Sequence, residues 1–556
     1  MKLIAESQIT GTVDPQSIIT TILEGRGILP TEVAAFLTPP LTSHIFLESL
    51  GVKRKEITKA FKRLRQALEG KEQVVIYGDY DVDGVTSSTI LYQIMLQLGF
   101  NVQVYLPNRF TDGYGLSKEA LKKIKALYSP TLLITVDHGI KGESYIKELQ
   151  ADGVDTIIID HHQEGEVYPE SAIAVIYNKK LSASGLAYLF AKELYLEISH
   201  KPLDKKTQRN LLVMGGIGVI ADVMNLQHEA RSLAYYALRE LPKSDNLGLK
   251  ALLQSSGLGE RTAFGSYDVG FVIGPRINSA GRLQEAIIAF NLLNATNETV
   301  AKELAKELEA LNKLRQKKLE TQLTEALKIA EKIKDNVIFL WHESFDEGLV
   351  GLLAAKVADK FKRPTLVATL KENLLKGSAR SVENFDITQF LSHFSKSLRS
   401  FGGHSQAAGF SLLKENLVEF TSNVSRKSRE VLSILAKTEK ILRADVGMSF
   451  ANLNLKLCHL LNSLEPFGEG NLKPLFLTRG VEVVSARPVG KTGDHYQLFL
   501  KDASSKNAIK CVFFKSAVRM ETIDINKPID VLYALEIDSW RGEVPSLHIR
   551  EIVQSE

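Results

Sequence analysis

The stretch Ile76-Tyr-Gly-Asp79-Tyr-Asp81-Val-Asp83-Gly84 decides the fold: a short apolar run that ends in three alternate aspartates. Two further runs end the same way. Leu132-Leu-Ile-Thr-Val closes on Asp137, and Thr156-Ile-Ile-Ile closes on Asp160, His161 and His162. A fourth, Gly216-Ile-Gly-Val-Ile-Ala, closes on Asp222. One aspartate after an apolar run is ordinarily a helix N-cap or a turn former. The repetition asks for more. Runs 74–77, 132–136 and 156–159 are short and rich in β-branched residues, as strands buried on both faces should be. Val102–Leu106 is a fourth candidate, and its Gln103 fits a place nearer the sheet edge. Helical stretches Val85–Leu98 and Ser117–Ala126 lie between the runs, so the pattern reads as βαβ units and a parallel sheet. Ligands of such sheets bind beyond the carboxyl ends of the strands, where all these acidic and imidazole groups should gather. Hard carboxylate oxygens mixed with imidazole suit Mn²⁺ or Mg²⁺, and without cations so many carboxylates would repel strongly. The reading is a site for two divalent ions.

Composition sets the frame. A chain of 556 residues, 44% hydrophobic and 24% charged, can bury several cores and suggests three or four domains. Two distant cysteines, Cys458 and Cys511, make neither a disulfide framework nor a thiolate metal site, and both read as buried spectators. The start MKLIAESQITGT has no long apolar segment, and no run reaches ~18 apolar residues, so neither secretion nor membrane insertion is expected and the cytoplasm is. A net charge of +4 permits a local basic groove without demanding a nucleic-acid partner.

Residues 1–70 read as a mixed leader ending in the basic amphipathic helix Lys53–Leu68, and 71–295 as the first α/β unit. Asn297–Asp335 has no Pro or Gly, with apolar residues at Val300, Leu304, Leu308, Leu311, Leu319, Leu323, Ile329 and Ile333. The repeat is too brief for a coiled coil, and its alternating Lys and Glu fit a solvated connecting helix over 296–335. A second lobe, 336–435, opens with strand Asn336–Leu340, helix Gly348–Phe361 and strand Thr365–Thr369. Within it, Gly377-Ser378-Ala-Arg380-Ser381 brings a hydroxyl and a guanidinium together, groups that suit a terminal phosphate but alone are compatible with a turn. From 436 to 556, five runs read as strands of a small OB-like barrel: Val481–Ala486, Tyr496–Lys501, Ala508–Phe514, Ile529–Leu535 and Ser546–Ile552. Tyr496, Phe513, Phe514, Lys515, Trp540 and Arg541 are its candidate strand contacts.

The ordered set Asp81-x-Asp83-Gly84, Asp137 and Asp160-His161-His162 resembles the DHH phosphoesterase superfamily. Pro107–Leu116, Gly274-Pro-Arg276-Ile-Asn278-Ser-Ala-Gly-Arg282, Gly377–Ser381, Gly402-Gly-His404 and Pro466–Asn471 are similar to the RecJ family within it, the single-strand-specific 5′→3′ DNA exonucleases. The resemblance implies a parallel-sheet DHH lobe, a long connecting helix, a second α/β (DHHA1) lobe and an OB domain. It also implies hydrolysis of single-stranded DNA in repair and recombination, with a single-strand-binding protein and a helicase as partners. By resemblance Asp81, Asp83, Asp137, His161 and Asp222 ligate the ions, with Asp137 bridging and Asp79 in support. His162 then works on the substrate side, while Arg109, Arg276, Asn278, Arg282, Ser378, Arg380 and His404 hold the strand.

Two other readings compete. Oligoribonucleases and cyclic-dinucleotide phosphodiesterases share the DHH site but are typically short or membrane-tethered. A catalytically dead scaffold should have lost metal ligands, and none is missing here. Two positions depart from the family pattern. His138 follows a metal-site aspartate where a small or amide residue is usual, and Asp346 precedes the Gly-Leu-Val-Gly stretch in place of an aromatic or His.

Overall fold

The computed structural model describes residues 2–113, 115–430, 441–490, 492–538 and 542–555. Tyr114, Trp540 and Arg541, all within segments singled out above, lie outside the described residues, as does the junction at 435–436. The chain divides into two units. One comprises residues 1–45, 223–236 and 439–556, and the other 46–222 and 237–438.

In the first unit, strand β1 (Lys2–Gln8) pairs in parallel with the strand Ile441–Gly447. The first 45 residues therefore pack with the C-terminal part of the chain, while the amphipathic helix Arg54–Glu69 belongs to the other unit. Beyond Gly447 the five predicted runs are strands Phe476–Val489, His495–Lys501, Ile509–Phe513, Ile529–Asp538 and Val544–Gln554. The first of these bends at two register shifts and pairs with both the second and the fourth. The second pairs with the third, the third in parallel with the fifth, and the fifth with the fourth. The pairings thus run in a ring around a core that includes Cys458 and Cys511, both free and buried. Arg231, 1% exposed, donates to the carbonyls of Phe36, Leu464, Glu465 and Pro466, and so ties three separate stretches of chain together.

The second unit holds two sheets. In the first, β2 (Gln73–Tyr77), β3 (Asn101–Tyr105), β4 (Leu132–Val136), β5 (Asp155–Asp160) and β6 (Ala174–Tyr177) are all parallel, in the order β3-β2-β4-β5-β6. The strand interrupted by Gln103 is indeed an edge strand. Ala174–Tyr177, the other edge, is too short to have signalled itself in sequence. Helices Val82–Gln97, Ala183–Ser199 and Lys205–Ala221 pack together on the sheet, and their packed faces are almost wholly apolar or small. Helices Lys118–Tyr128 and Glu143–Ala151 bury leucine and isoleucine on its other face.

The connecting helix spans Glu298–Lys332, capped by Asn297 through its side chain to the Val300 amide. Its 35 residues reach about 52 Å at 1.5 Å each. The buried stripe differs from the predicted one: Val300 is exposed, whereas Ala301, Ala305, Ala326 and Ala330 are buried beside Leu308, Leu311 and Leu319. Small side chains let neighbouring elements approach the helix closely, so leucine spacing alone misplaced its first turn. The second sheet comprises β7 (Ile338–Trp341), β8 (Thr365–Lys371), β9 (Leu374–Arg380), β10 (Ser400–His404) and β11 (Ala407–Leu413), in the order β10-β11-β9-β8-β7. Only β7 and β8 are parallel. Asp346 accepts from Lys318 and Gln322 of the connecting helix, so the unusual residue there braces this lobe.

Candidate metal centre and phosphate clamp

The carboxyl ends of β2, β4 and β5 bring the predicted acidic and imidazole groups together. Asp81 caps the helix Val82–Gln97, its Oδ1 accepting from the Gly84 amide at 3.1 Å. The N-cap reading of a post-strand aspartate is therefore correct for Asp81, and it coexists with a place in the cluster. Asp83, 1% exposed, accepts from the amides of Ala183 and Ser184 at 2.7 and 3.0 Å, at the N-terminus of the helix Ala183–Ser199. A β-carbon on Gly218 would lie 2.5 Å from Asp83 Oδ1, so only glycine permits this approach. Asp137 ends β4 with φ 67, a left-handed conformation that a non-glycine residue adopts only when its surroundings enforce it. Asp222 caps the C-terminal end of Lys205–Ala221, and Val223 after it has φ 58.

Three overlapping groups of potential ligand atoms result, each with its atoms within 4.8 Å of one another. They are Asp79–Asp81–Asp137, Asp83–His161–Asp222 and Asp137–His161–His162. Asp137 and His161 each belong to two of them. His161 Nε2 lies 3.0 Å from Asp222 Oδ2, and its Nδ1 lies 3.6 Å from Asp137 Oδ1. That Nδ1 is buried with no hydrogen-bond partner among the described residues, an orphaned donor or acceptor in a site rich in negative charge. Burial and then Asp81 push the Asp79 carboxyl well above its usual range, and burial followed by Asp81, Asp83, Asp79 and Asp222 does the same to Asp137. Carboxylates crowded in this way, beside an unpartnered imidazole nitrogen, fit hard divalent cations.

Asp160 plays a different part from its neighbours. It accepts from the amides of Ile140, His161 and His162 and from His162 Nδ1 at 2.8 Å. Burial would raise its pKa, but the His162 hydrogen bond and the backbone donors hold it at about 2. A carboxylate held that low only accepts, so His162 Nδ1 is the donor in this contact and the hydrogen bond fixes the orientation of the ring. His138 is in none of the three groups. Its ring meets Tyr77 edge-on at 4.4 Å, and burial pushes its pKa down to about 4, so it packs as a neutral side chain.

The predicted strand-holding residues separate. Arg109 lies over the Tyr80 ring at 4.1 Å, and its charge acts on both Asp79 and Arg282. Arg282 donates to the Gly348 carbonyl, and its pKa is pushed down to about 10 by burial, then by Arg109 and Arg315. Ser378 Oγ and Arg380 Nη1 are 2.9 Å apart on β9, and burial pushes the Arg380 pKa down, with no carboxylate among the described residues opposing it. Arg282, held against burial and the repulsion of Arg109 and Arg315, and Arg380, held against burial, are cationic groups that fit an anion. His404 is near enough to Lys141, His162 and His161 that they add to burial in lowering its pKa. Asn278 is half-buried on the helix Gly274–Leu283. Arg276 stands apart: its Nε is paired with Glu309 at 2.6 Å and its Nη1 with the Val272 carbonyl, so it fastens this helix to the connecting helix. Sequence reasoning missed Tyr80, whose place between two aspartates was the available signal, and the orienting role of Asp160.

Fold and site together define the DHH architecture: a parallel sheet with acidic strand ends, a connecting helix and a DHHA1 lobe. Residues 73–217 match the DHH family N-terminal domain, 334–430 the DHHA1 domain and 444–551 the RecJ OB domain. The chain belongs to the RecJ family. It is 30% identical over 513 residues to the single-stranded-DNA-specific exonuclease RecJ of Thermus thermophilus, covering 89% of this chain and 71% of that protein. Against RecJ of Bacillus subtilis it is 32% identical over 519 residues, and the match covers 90% of this chain but 64% of that protein. The crystal structure of RecJ in complex with Mn²⁺ from T. thermophilus superimposes with a TM-score of 0.77 at 24% identity, covering all of this chain and 80% of that one. A structure of exonuclease RecJ bound to manganese gives 0.61 at 28% identity, covering 70% and 97%.

Proposed function

We propose that this chain is a metal-dependent, single-stranded-DNA-specific 5′→3′ exonuclease that releases mononucleotides by phosphodiester hydrolysis, in DNA repair and recombination. The observation that carries the reading is the convergence of seven acidic and imidazole groups in three overlapping ligand sets, within the unit that also holds the buried guanidinium of Arg380. Asp79, Asp81, Asp83, Asp137, His161 and Asp222 would hold two divalent ions, Mn²⁺ or Mg²⁺, with Asp137 shared between them. When bound, two such ions activate water at neutral pH and offset the charge that develops on the phosphoryl group.

The protein's own groups do the rest. Ser378, Arg380 and Arg109 hold the 5′-terminal phosphate, which sets the end from which the strand is read. Arg282 and Asn278 hold the phosphates that follow. His162, kept in one orientation by Asp160, delivers a proton from Nε2 to the leaving 3′-oxygen of the terminal nucleotide. His404 approaches the same reacting group from the second lobe. Arg276, already paired with Glu309, positions the helix that carries Asn278 and Arg282.

A single-strand-binding protein and a helicase fit this activity as partners, since both govern access to unwound strand. The cytoplasm is where such strands would be met; among the described residues no helix is long and apolar enough to cross a membrane. The test is digestion of 3′-labelled strands carrying a 5′-phosphate, alone and annealed, with Mn²⁺ or Mg²⁺. Shortening of the free strand from its 5′ end, with the duplex intact, is expected. Preferential hydrolysis of short oligoribonucleotides or cyclic dinucleotides would overturn the reading.

A further inference from the structure

Tyr267 and Phe271 are 68% and 70% exposed, yet their rings stack on each other with centroids 4.8 Å apart and planes 20° from parallel. Isolated apolar side chains at a surface are ordinary. A stacked pair is less so, and an i, i+4 aromatic contact adds too little to helix stability to account for it. The backbone beneath is deliberately built. Asp268 accepts from Arg261 at 2.6 Å and from the Gly265 amide at 3.0 Å, which fixes the start of the helix. Val269–Ile273 then forms a turn of π-helix, a geometry that recurs at functional sites. Val269 and Ile273 point into the core, which leaves the two rings outside.

This turn leads directly into the metal centre. A β-carbon built on Gly274, the next residue, would lie 3.7 Å from the side chains of Ala221 and Val82, the neighbours of Asp222 and of Asp81 and Asp83. The same helical run continues through Asn278 to Gly281, whose approach to the Tyr80 carbonyl leaves no room for a β-carbon, and to Arg282. One rigid element therefore carries phosphate-holding groups at one end and two flat, water-exposed aromatic faces at the other. We propose that Tyr267 and Phe271 form a stacking platform for a nucleobase of the single strand where it leaves the catalytic site. The proposal rests on the functional reading above and extends it to a base-binding subsite. A planar aromatic face takes any base, so the platform gives grip without sequence preference, and it requires an unpaired base, which duplex does not offer.

The test is a binding series on 5′-phosphorylated strands with phosphorothioate linkages, so that affinity is read without cleavage. Abasic residues are placed one position at a time from the 5′ end. The wild-type protein should lose affinity at one or two adjacent positions. The Tyr267→Ala/Phe271→Ala double variant should bind the intact strand roughly tenfold more weakly, and should no longer respond to the abasic residue at those positions. Tyr267→Phe and Phe271→Tyr, which keep the rings, should bind as wild type. Unchanged affinity of the double alanine variant, or equal losses on intact and abasic strands, would overturn the platform and leave the pair a structural or protein-contact feature. Cleavage of an unmodified strand by the wild-type protein, run in parallel, separates the two readings. If that cleavage is absent the exonuclease assignment fails, whatever the abasic series shows.

Discussion

His161 Nε2 stands 3.0 Å from Asp222 Oδ2, a contact that joins the end of β5 to the end of the helix Lys205–Ala221. Burial opposes protonation of this imidazole, but the Asp222 hydrogen bond and nearby carboxylates outweigh it and raise its pKa to about 9 from 6.5. A raised folded-state pKa contributes stability that is full below the unfolded value and is lost as pH rises through the folded one. Asp79 and Asp137, also raised, act in the same direction from lower pH. Metal-free protein should therefore melt at progressively lower temperature between pH 6.5 and 9, and Asp222→Asn should flatten the decline. A melting temperature that climbs over that window would contradict the assignment.

Asp137 belongs to two of the three ligand groups. Asp137→Ala should reduce turnover by several orders of magnitude while the fold persists. Because it also removes a buried carboxylate that repels its neighbours, the metal-free variant should melt no lower than wild type. The rise in melting temperature that Mn²⁺ gives the wild type should shrink or vanish. Near-normal turnover in a folded variant would sink the shared-ligand role.

Among the described residues no carboxylate opposes the burial of Arg380. Arg380→Ala should weaken the preference for 5′-phosphate over 5′-hydroxyl strands more than it weakens overall binding, and Arg380→Lys should restore only part of it, since the planar fork is lost. Equal losses on both strands would make it a general backbone contact.

The barrel's candidate contacts divide by burial. Phe513 is 6% exposed in the core, and Tyr496 packs partly against it. Phe514 is 54% exposed, edge-on to His495 and His548, and Lys515 is exposed beside it. Phe513→Ala should cost about 3–5 kcal/mol of stability. Phe514→Ala should lower affinity for long strands with little change in melting, and Lys515→Ala should make the log–log salt slope shallower by about 1. Point substitution is the appropriate test, because a cut near residue 437 would strip β1 of its neighbouring strand and Arg231 of the Leu464, Glu465 and Pro466 carbonyls.

Alternating short apolar runs and helical stretches, each run closed by Asp or by Asp-His-His, were enough to place a parallel sheet with a metal-binding edge, because strand burial and ligand chemistry both leave local marks. The five barrel runs were legible for the same reason. Other features have no local mark. Arg276 and Arg282 stand in one motif with the same side chain, yet Glu309 on the connecting helix claims the first, and only the second reaches Asp81 and Arg109. Asp160 reads like Asp137, but four donors surround it and turn it into the support for His162. The sequence by itself determined which residue types stand at the strand ends, and hence the fold and the class of chemistry. The tertiary structure alone decided which of those groups face one another and which are already satisfied by a partner distant in the chain, because a hydrogen bond or ion pair across hundreds of residues depends on packing and not on spacing.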